Sequence, residues 1–139
     1  MKKIINILLL LPMLAFAGLD LSKINGALSS IKSSQSSKIL KFYNNSGLNL
    51  KTELNFTSQK NADIILFPKQ KNTTQALVVN SYKALKENPN SIGAIYIKKG
   101  RTQIIFIKER LEHNGFDIMK VSKKYMVPEC QLRALCLLQ

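Results

Sequence analysis

Two cysteines, one histidine, a few carboxylates and a short run of cations are the residues of this chain whose types could do chemistry. Cys130 and Cys136 are its only cysteines. Two thiols this close in sequence tend to pair in an oxidising compartment. The expectation is a structural disulfide, with two inert thiols and a redox-active couple as the alternatives, since the spacing is not the Cys-x-x-Cys that tunes a redox thiol. A continuous helix through both would point their side chains in different directions, so pairing and helix compete. His113 is the sole histidine, and Glu109 shares its face if a helix runs there. Zinc usually draws on several His or Cys ligands, so no metal site is expected. Asp63, Glu109 and Glu112 would need folding to bring them around one substrate before they could do acid/base work. Ser122 has no histidine at a suggestive spacing, and Gly93 and Gly100 make no phosphate-binding glycine motif. The expectation is a non-enzyme without a cofactor.

The cations say more. Lys98-Lys99-Gly100-Arg101 puts three positive charges around a turn, where they can engage phosphate or carboxylate oxygens. Lysines at strand edges also discourage sheet-to-sheet aggregation, which is the plainer reading. Lys69 and Lys71 form a second cluster and Lys120 to Lys124 a third, and the fold decides whether they merge. One further motif, Glu53-Leu54-Asn55-Phe56-Thr57, matches the acidic-x-Asn-x-Thr acceptor of bacterial periplasmic N-glycosylation. Five residues are easily matched by chance, and a strand over this segment would hide it.

Which of these chemistries is relevant depends on the compartment. Lys2 and Lys3, the apolar run from Ile4 to Leu14 and the Ala15-Phe16-Ala17 pattern have the form of a cleavable secretory signal peptide over residues 1–17. The run is shorter than the roughly 20 residues that cross a bilayer, and Gly18 is not the cysteine of a lipoprotein. The expectation is a periplasmic protein starting near Gly18, with residues 18–139 as one domain. That length is enough for a real core. The chain has 21 Lys and Arg against 8 Asp and Glu, a formal charge of +13. Loss of Lys2 and Lys3 leaves an excess that draws anionic partners. Outside the cytoplasm those partners are an acidic protein face, anionic lipid or glycan rather than nucleic acid.

The elements that must position these residues follow from periodicity. Leu21, Ile24, Leu28 and Ile31 share one face of a helix over about 20–32, and Ile39, Leu40 and Tyr43 suggest a second over 36–45, with Gly47 as a left-handed cap. Leu48, Leu50, Leu54 and Phe56 alternate as in a half-buried strand. Ile64 to Phe67 is a continuous apolar run suited to an interior strand, ended by Pro68. Ala76 to Val79 reads as a short buried strand, followed by a helix over 81–87 capped by Asn80 that buries Tyr82 and Leu85. Ile92 to Lys98 and Thr102 to Ile107 predict a β-hairpin. A short helix over 109–114 ends at Gly115, Phe116 and Ile118 return to the core, and Pro128 opens a helical segment over Glu129 to Leu138. The sum is an α/β fold: a single domain with a mixed sheet of four to five strands and packed helices.

From Asp63 to Ile118 the chain resembles the C-terminal half of the YfiR-type small periplasmic proteins, which restrain membrane-bound diguanylate cyclases. The residues that carry the likeness are NADIILFP, then SIGAIYIKKGRTQIIFIKERLEHNGFDI, a hairpin on a Gly-Arg turn leading to a short helix ended by Asn-Gly. The family often has further cysteines and a longer N-terminal sheet, where this sequence suggests two helices. The resemblance implies a compact α/β sandwich and a regulatory binding role, and gives no residue a function. The resulting expectation is a non-enzymatic periplasmic regulator whose basic turn docks on the acidic face of an inner-membrane protein ectodomain. A small anion-binding protein, with Lys69 to Thr74 and Lys98 to Arg101 framing a cleft, and a basic cell-envelope structural factor are the alternatives.

Overall fold

The computed structural model describes residues 18–50, 54–70 and 73–133. Helix α1, Leu21–Ser29, starts where the Asp20 carboxylate accepts the Lys23 N–H, and it buries Ile24, Ala27 and Leu28. It ends sooner than its apolar spacing suggests. The Ser29 and Ser30 hydroxyls donate to the carbonyls of Gly26 and Ala27, the local competition by which serine favours helix ends.

The chain then departs from the expected second helix. Residues 41–44 form strand β2, Lys41–Asn44, after a two-residue strand β1, Lys32–Ser33. Leu40 and Phe42 are buried while Lys41 is exposed, so the working period is two, and Ile39, which completed the helical pattern, is 67% exposed. The strand state is fixed from outside: β2 is paired on both flanks, and the Asp63 carboxylate accepts the Lys41 N–H at 2.9 Å. The strand expected from Leu48 to Phe56 is reduced to β3, Asn55–Phe56, among the described residues. Asn44 Nδ2 donates to the Leu48 carbonyl, Asn44 Oδ1 accepts from the N–H and hydroxyl of Ser46, and Gly47 is left-handed (φ 75°). These bonds wind a compact turn where alternation pointed to a strand. Leu48, Leu50 and Leu54 still pack on the core, but Phe56, expected inside, is 41% exposed.

From Ile64 to Phe116 the expected order of strands and helices holds, with corrections at the start of the helix that follows Val79 and in the tail. Strands β4, Ile64–Leu66, and β5, Ala76–Val79, are fully buried and parallel. Helix α2, Tyr82–Glu87, is capped by Ser81, whose hydroxyl accepts the Ala84 N–H, rather than by Asn80. Leu85 is buried, but Tyr82 stays 37% exposed. Strands β6, Ser91–Lys98, and β7, Arg101–Ile107, form the antiparallel hairpin. Helix α3, Lys108–His113, ends before left-handed Gly115, and β8, Phe116–Asp117, pairs with β1 in a two-stranded ribbon. Strand β9, Met126–Val127, and a 3₁₀ turn, Glu129–Arg133, follow.

The main sheet is mixed and has seven strands, in the order β3-β2-β4-β5-β6-β7-β9, rather than four to five. The strands that were not expected are β2, which replaces the second helix, and the two-residue β9; β3, what remains of the strand expected from Leu48 to Phe56, and β9 lie at the two edges. β3, β2, β4, β5 and β6 run parallel. One apolar cluster joins α1 to Leu66, Ile95, Phe106 and Leu111, and a second joins Ile65, Leu77, Leu85, Ala94, Ile107 and Leu132. At the N-terminal end of β6 the pairing with β5 shifts register, Leu77 opposite Ser91 but Val78 opposite Gly93. This irregularity places Ile92 and Ile95 in the same cluster. Gly93 is required there, because a Cβ would lie 2.5 Å from both the Ile105 carbonyl oxygen and Phe106 Cδ1.

A basic face along the edge of the hairpin

The hairpin turn is set by Lys99 and Gly100, both left-handed (φ 52° and 76°), with Lys98 opposite Arg101. Two successive positive φ values are the signature of a type I′ turn, whose twist matches that of the strands it joins. Lys98, Lys99 and Arg101 are all exposed, and none of their side chains is hydrogen-bonded or ion-paired to another described residue. The pairing of β6 and β5 stops at Ala94 and Val79. Ile95 is still buried, and the last three residues of β6, with the turn beyond them, extend past the ladder with β5. The cations stand on a two-stranded arm anchored in the core by Ile95, Ile104 and Phe106.

The pair just below the turn, Ile97 and Thr102, is held by residues that the sequence did not single out. Lys23 reaches from α1 to the Thr102 carbonyl, with Nζ at 3.0 Å, and lies 5.9 Å from the centre of the Tyr125 ring. Lys124 Nζ lies 5.0 Å from the same ring. Two cations on one ring are held by its quadrupole. Arg101, Lys23 and Lys124 thus follow one another along the outer edge of β7, linking the hairpin cluster to the cluster at Lys120 to Lys124. β7 is seven residues long but pairs with β9 only at Phe106 and Ile107, so Lys23 caps an otherwise open stretch of strand edge. The Gly18–Asp20 segment is fastened to the same place: Thr102 Oγ1 accepts the Asp20 N–H at 2.7 Å, and Gly18 lies against Ile97.

On the α2 side of the arm, Tyr82, Tyr96, Lys98, Gln103 and Ile105 line an open groove of about 480 Å³. Burial holds the Tyr96 phenol above its ordinary value of 10, and the nearby Tyr82 adds to the shift. Lys69, also exposed, lines a different cavity with Tyr43, Asn45 and Gln59. Lys71 lies outside the described residues. The structure therefore links two of the three basic clusters and gives Lys69 a separate location.

The other candidates have local structural roles. Asp63 accepts the Lys41 N–H and pairs with Lys38 at 3.3 Å, and Glu109 accepts the Glu129 N–H at 2.8 Å. His113 is exposed at the end of α3. No group of three or more His, Cys, Asp or Glu residues is arranged to hold a metal among the described residues. Cys130 is disulfide-bonded and sits in the 3₁₀ turn, while Cys136 lies outside the described residues. The leader over residues 1–17 is likewise outside them, and no described helix is long and apolar enough to cross a membrane.

Sequence reasoning also passed over Arg110. Its guanidinium is buried, with Nε and Nη2 each 2.7 Å from the Glu129 carboxylate, and Nη1 donates to the carbonyls of Leu85, Asn88 and Ser91. Its position one residue before buried Leu111 was the available signal. Its partners are distant in sequence and gave none.

Comparison of the chain with protein-family models, with curated proteins and with solved structures finds no match.

Proposed function

We propose that this chain is a non-enzymatic periplasmic regulator that binds the acidic face of an inner-membrane protein ectodomain through the basic face of its hairpin. The observation that carries the reading is the projecting type I′ turn, with Lys98, Lys99 and Arg101 exposed and without ion pairs among the described residues. A solvating lysine needs no such placement, whereas a docking cation does better on a rigid support, because less freedom is lost on binding. Lys23 and Lys124 extend the charge along β7. Cleavage after Ala17 would put a new ammonium group at Gly18, beside Ile97, one residue pair below the turn. The likeness to YfiR-type proteins makes a membrane-bound diguanylate cyclase the first partner to examine.

Capture of membrane proteins from an envelope extract tests this. The unaltered protein should retain an inner-membrane protein, and the triple variant Lys98→Glu, Lys99→Glu, Arg101→Glu should lose it while keeping its thermal stability. Equal retention by both would remove the hairpin from the account.

A further inference from the structure

Asn55 is exposed where the sequence led us to expect it hidden. It begins β3, the outermost strand on its side of the sheet, and among the described residues β3 pairs only with β2, through Lys41 and Phe42. The side-chain amide makes no hydrogen bond to another described residue and lies at the rim of an open cleft of about 240 Å³ beside Ser33, Ser36 and Lys38. Phe56 is 41% exposed, and the Thr57 N–H makes one bond, to the Phe42 carbonyl. A transferase must draw its acceptor segment into its own site. A two-residue edge strand is among the segments that open at least cost, because few bonds hold it.

Three Asn-x-Ser/Thr triplets occur in the chain, at Asn44, Asn55 and Asn72, and Asn55 alone has an acidic residue, Glu53, two positions before it. Glu53 is outside the described residues, so its part in the motif is read from sequence. The Asn44 amide is committed to the Leu48 carbonyl, and its oxygen to Ser46. The acidic residue sets Asn55 apart from both other triplets, and its side chain sets it apart from Asn44; Asn72 lies outside the described residues.

We propose that Asn55 is an N-glycosylation acceptor, modified by a periplasmic oligosaccharyltransferase that uses a polyprenyl-diphosphate-linked oligosaccharide. In the transfer, Nδ2 forms a bond to C1 of the reducing-end sugar. The C1–O bond to the diphosphate breaks, the lipid diphosphate leaves with the bonding electrons, and one amide proton passes to the transferase's base. The glycan covers the outer side of β3, an edge that no strand pairs with among the described residues and at which other chains could add. It stands at the opposite end of the sheet from β7 and β9 and leaves the basic face free.

The inference rests on the export reading, and the experiment separates the two. The full chain is expressed in a bacterium carrying such a transferase and its lipid-linked donor, alongside a version in which residues 1–17 are replaced by a proven secretory leader. Intact mass and glycopeptide mass spectrometry are then read on the periplasmic fraction. The expected result is one glycan on the Asn55 peptide, lost in Asn55→Gln and in Glu53→Gln, and kept in Asn72→Gln. A periplasmic protein without added mass under the proven leader, or a glycan placed on Asn44 or Asn72 instead, overturns the proposal. Failure of the natural leader alone, with Asn55 modified under the replacement leader, overturns export by residues 1–17 and upholds the acceptor.

Discussion

Arg110 shows how one side chain can fasten three parts of this molecule. Its fork spans the end of α2, the start of β6 and the 3₁₀ turn that carries disulfide-bonded Cys130. Removing it takes both of its bonds from the Glu129 carboxylate and one from each of three carbonyls, of which those of Leu85 and Asn88 still accept from Ser91. Because the Glu129 side chain keeps 30% of its exposure, the loss falls below that of a fully buried pair: Arg110→Ala should cost about 2–4 kcal/mol in urea unfolding. Arg110→Lys should recover only part of it, since an ammonium cannot reproduce the planar fork. Tyr96 supplies a pH dependence. Its folded-state pKa is raised by burial first and by Tyr82 second, so its contribution to stability is complete below the unfolded value, about 10, and is lost as pH rises through the folded value. Thermal melts between pH 9 and 11 should fall less steeply for Tyr96→Phe than for the unaltered protein; an identical decline would reject the assignment. The cations of the turn were legible because they are contiguous. Lys23 and Arg110 were not, because each has partners roughly 20 to 80 residues away.

At the scale of elements, the hairpin combines a tight approach at its base with left-handed backbone at its tip. Gly93→Ala would force a Cβ onto the Ile105 carbonyl and the Phe106 ring, and backbone cannot yield as a flexible side chain does. A loss of about 2–3 kcal/mol is expected, read from the urea midpoint. At the tip, Lys99 holds φ 52°, a conformation asparagine tolerates better. Lys99→Asn should stabilise the fold by about 0.5–1 kcal/mol and still weaken partner capture, which separates the charge of the turn from its shape. Strands β4 to β7 were legible because their apolar runs are continuous or rich in β-branched residues. β2 was misread because Ile39, Leu40 and Tyr43 mimic a helical interval, whereas the pairing that fixes it comes from Asn55, Phe56 and the residues from Asp63 to Leu66. β3 and β9 are too short to leave any period, and the side-chain bonds of Asn44 and Ser46 that undo the expected strand carry no hydrophobic signal.

At the scale of the whole molecule, a chain of charge +13 offers an acidic partner many surfaces, and the account depends on one of them being chosen. The basic face lies at the C-terminal ends of the parallel strands and along β7; Lys60, exposed in the 3₁₀ turn before β4, lies at their N-terminal ends. A docking surface of this kind should weaken with salt, because the screening length shortens from about 10 Å at 0.1 M to about 3 Å at 1 M. Net charge alone would give the same trend, so position is the better discriminator. A photo-crosslinking residue introduced in living cells at position 99 and, separately, at position 60 tests the claim most directly. The account predicts a crosslink to one inner-membrane protein from position 99 and none from position 60; equal crosslinking from both, or a crosslink from position 60 alone, would contradict it.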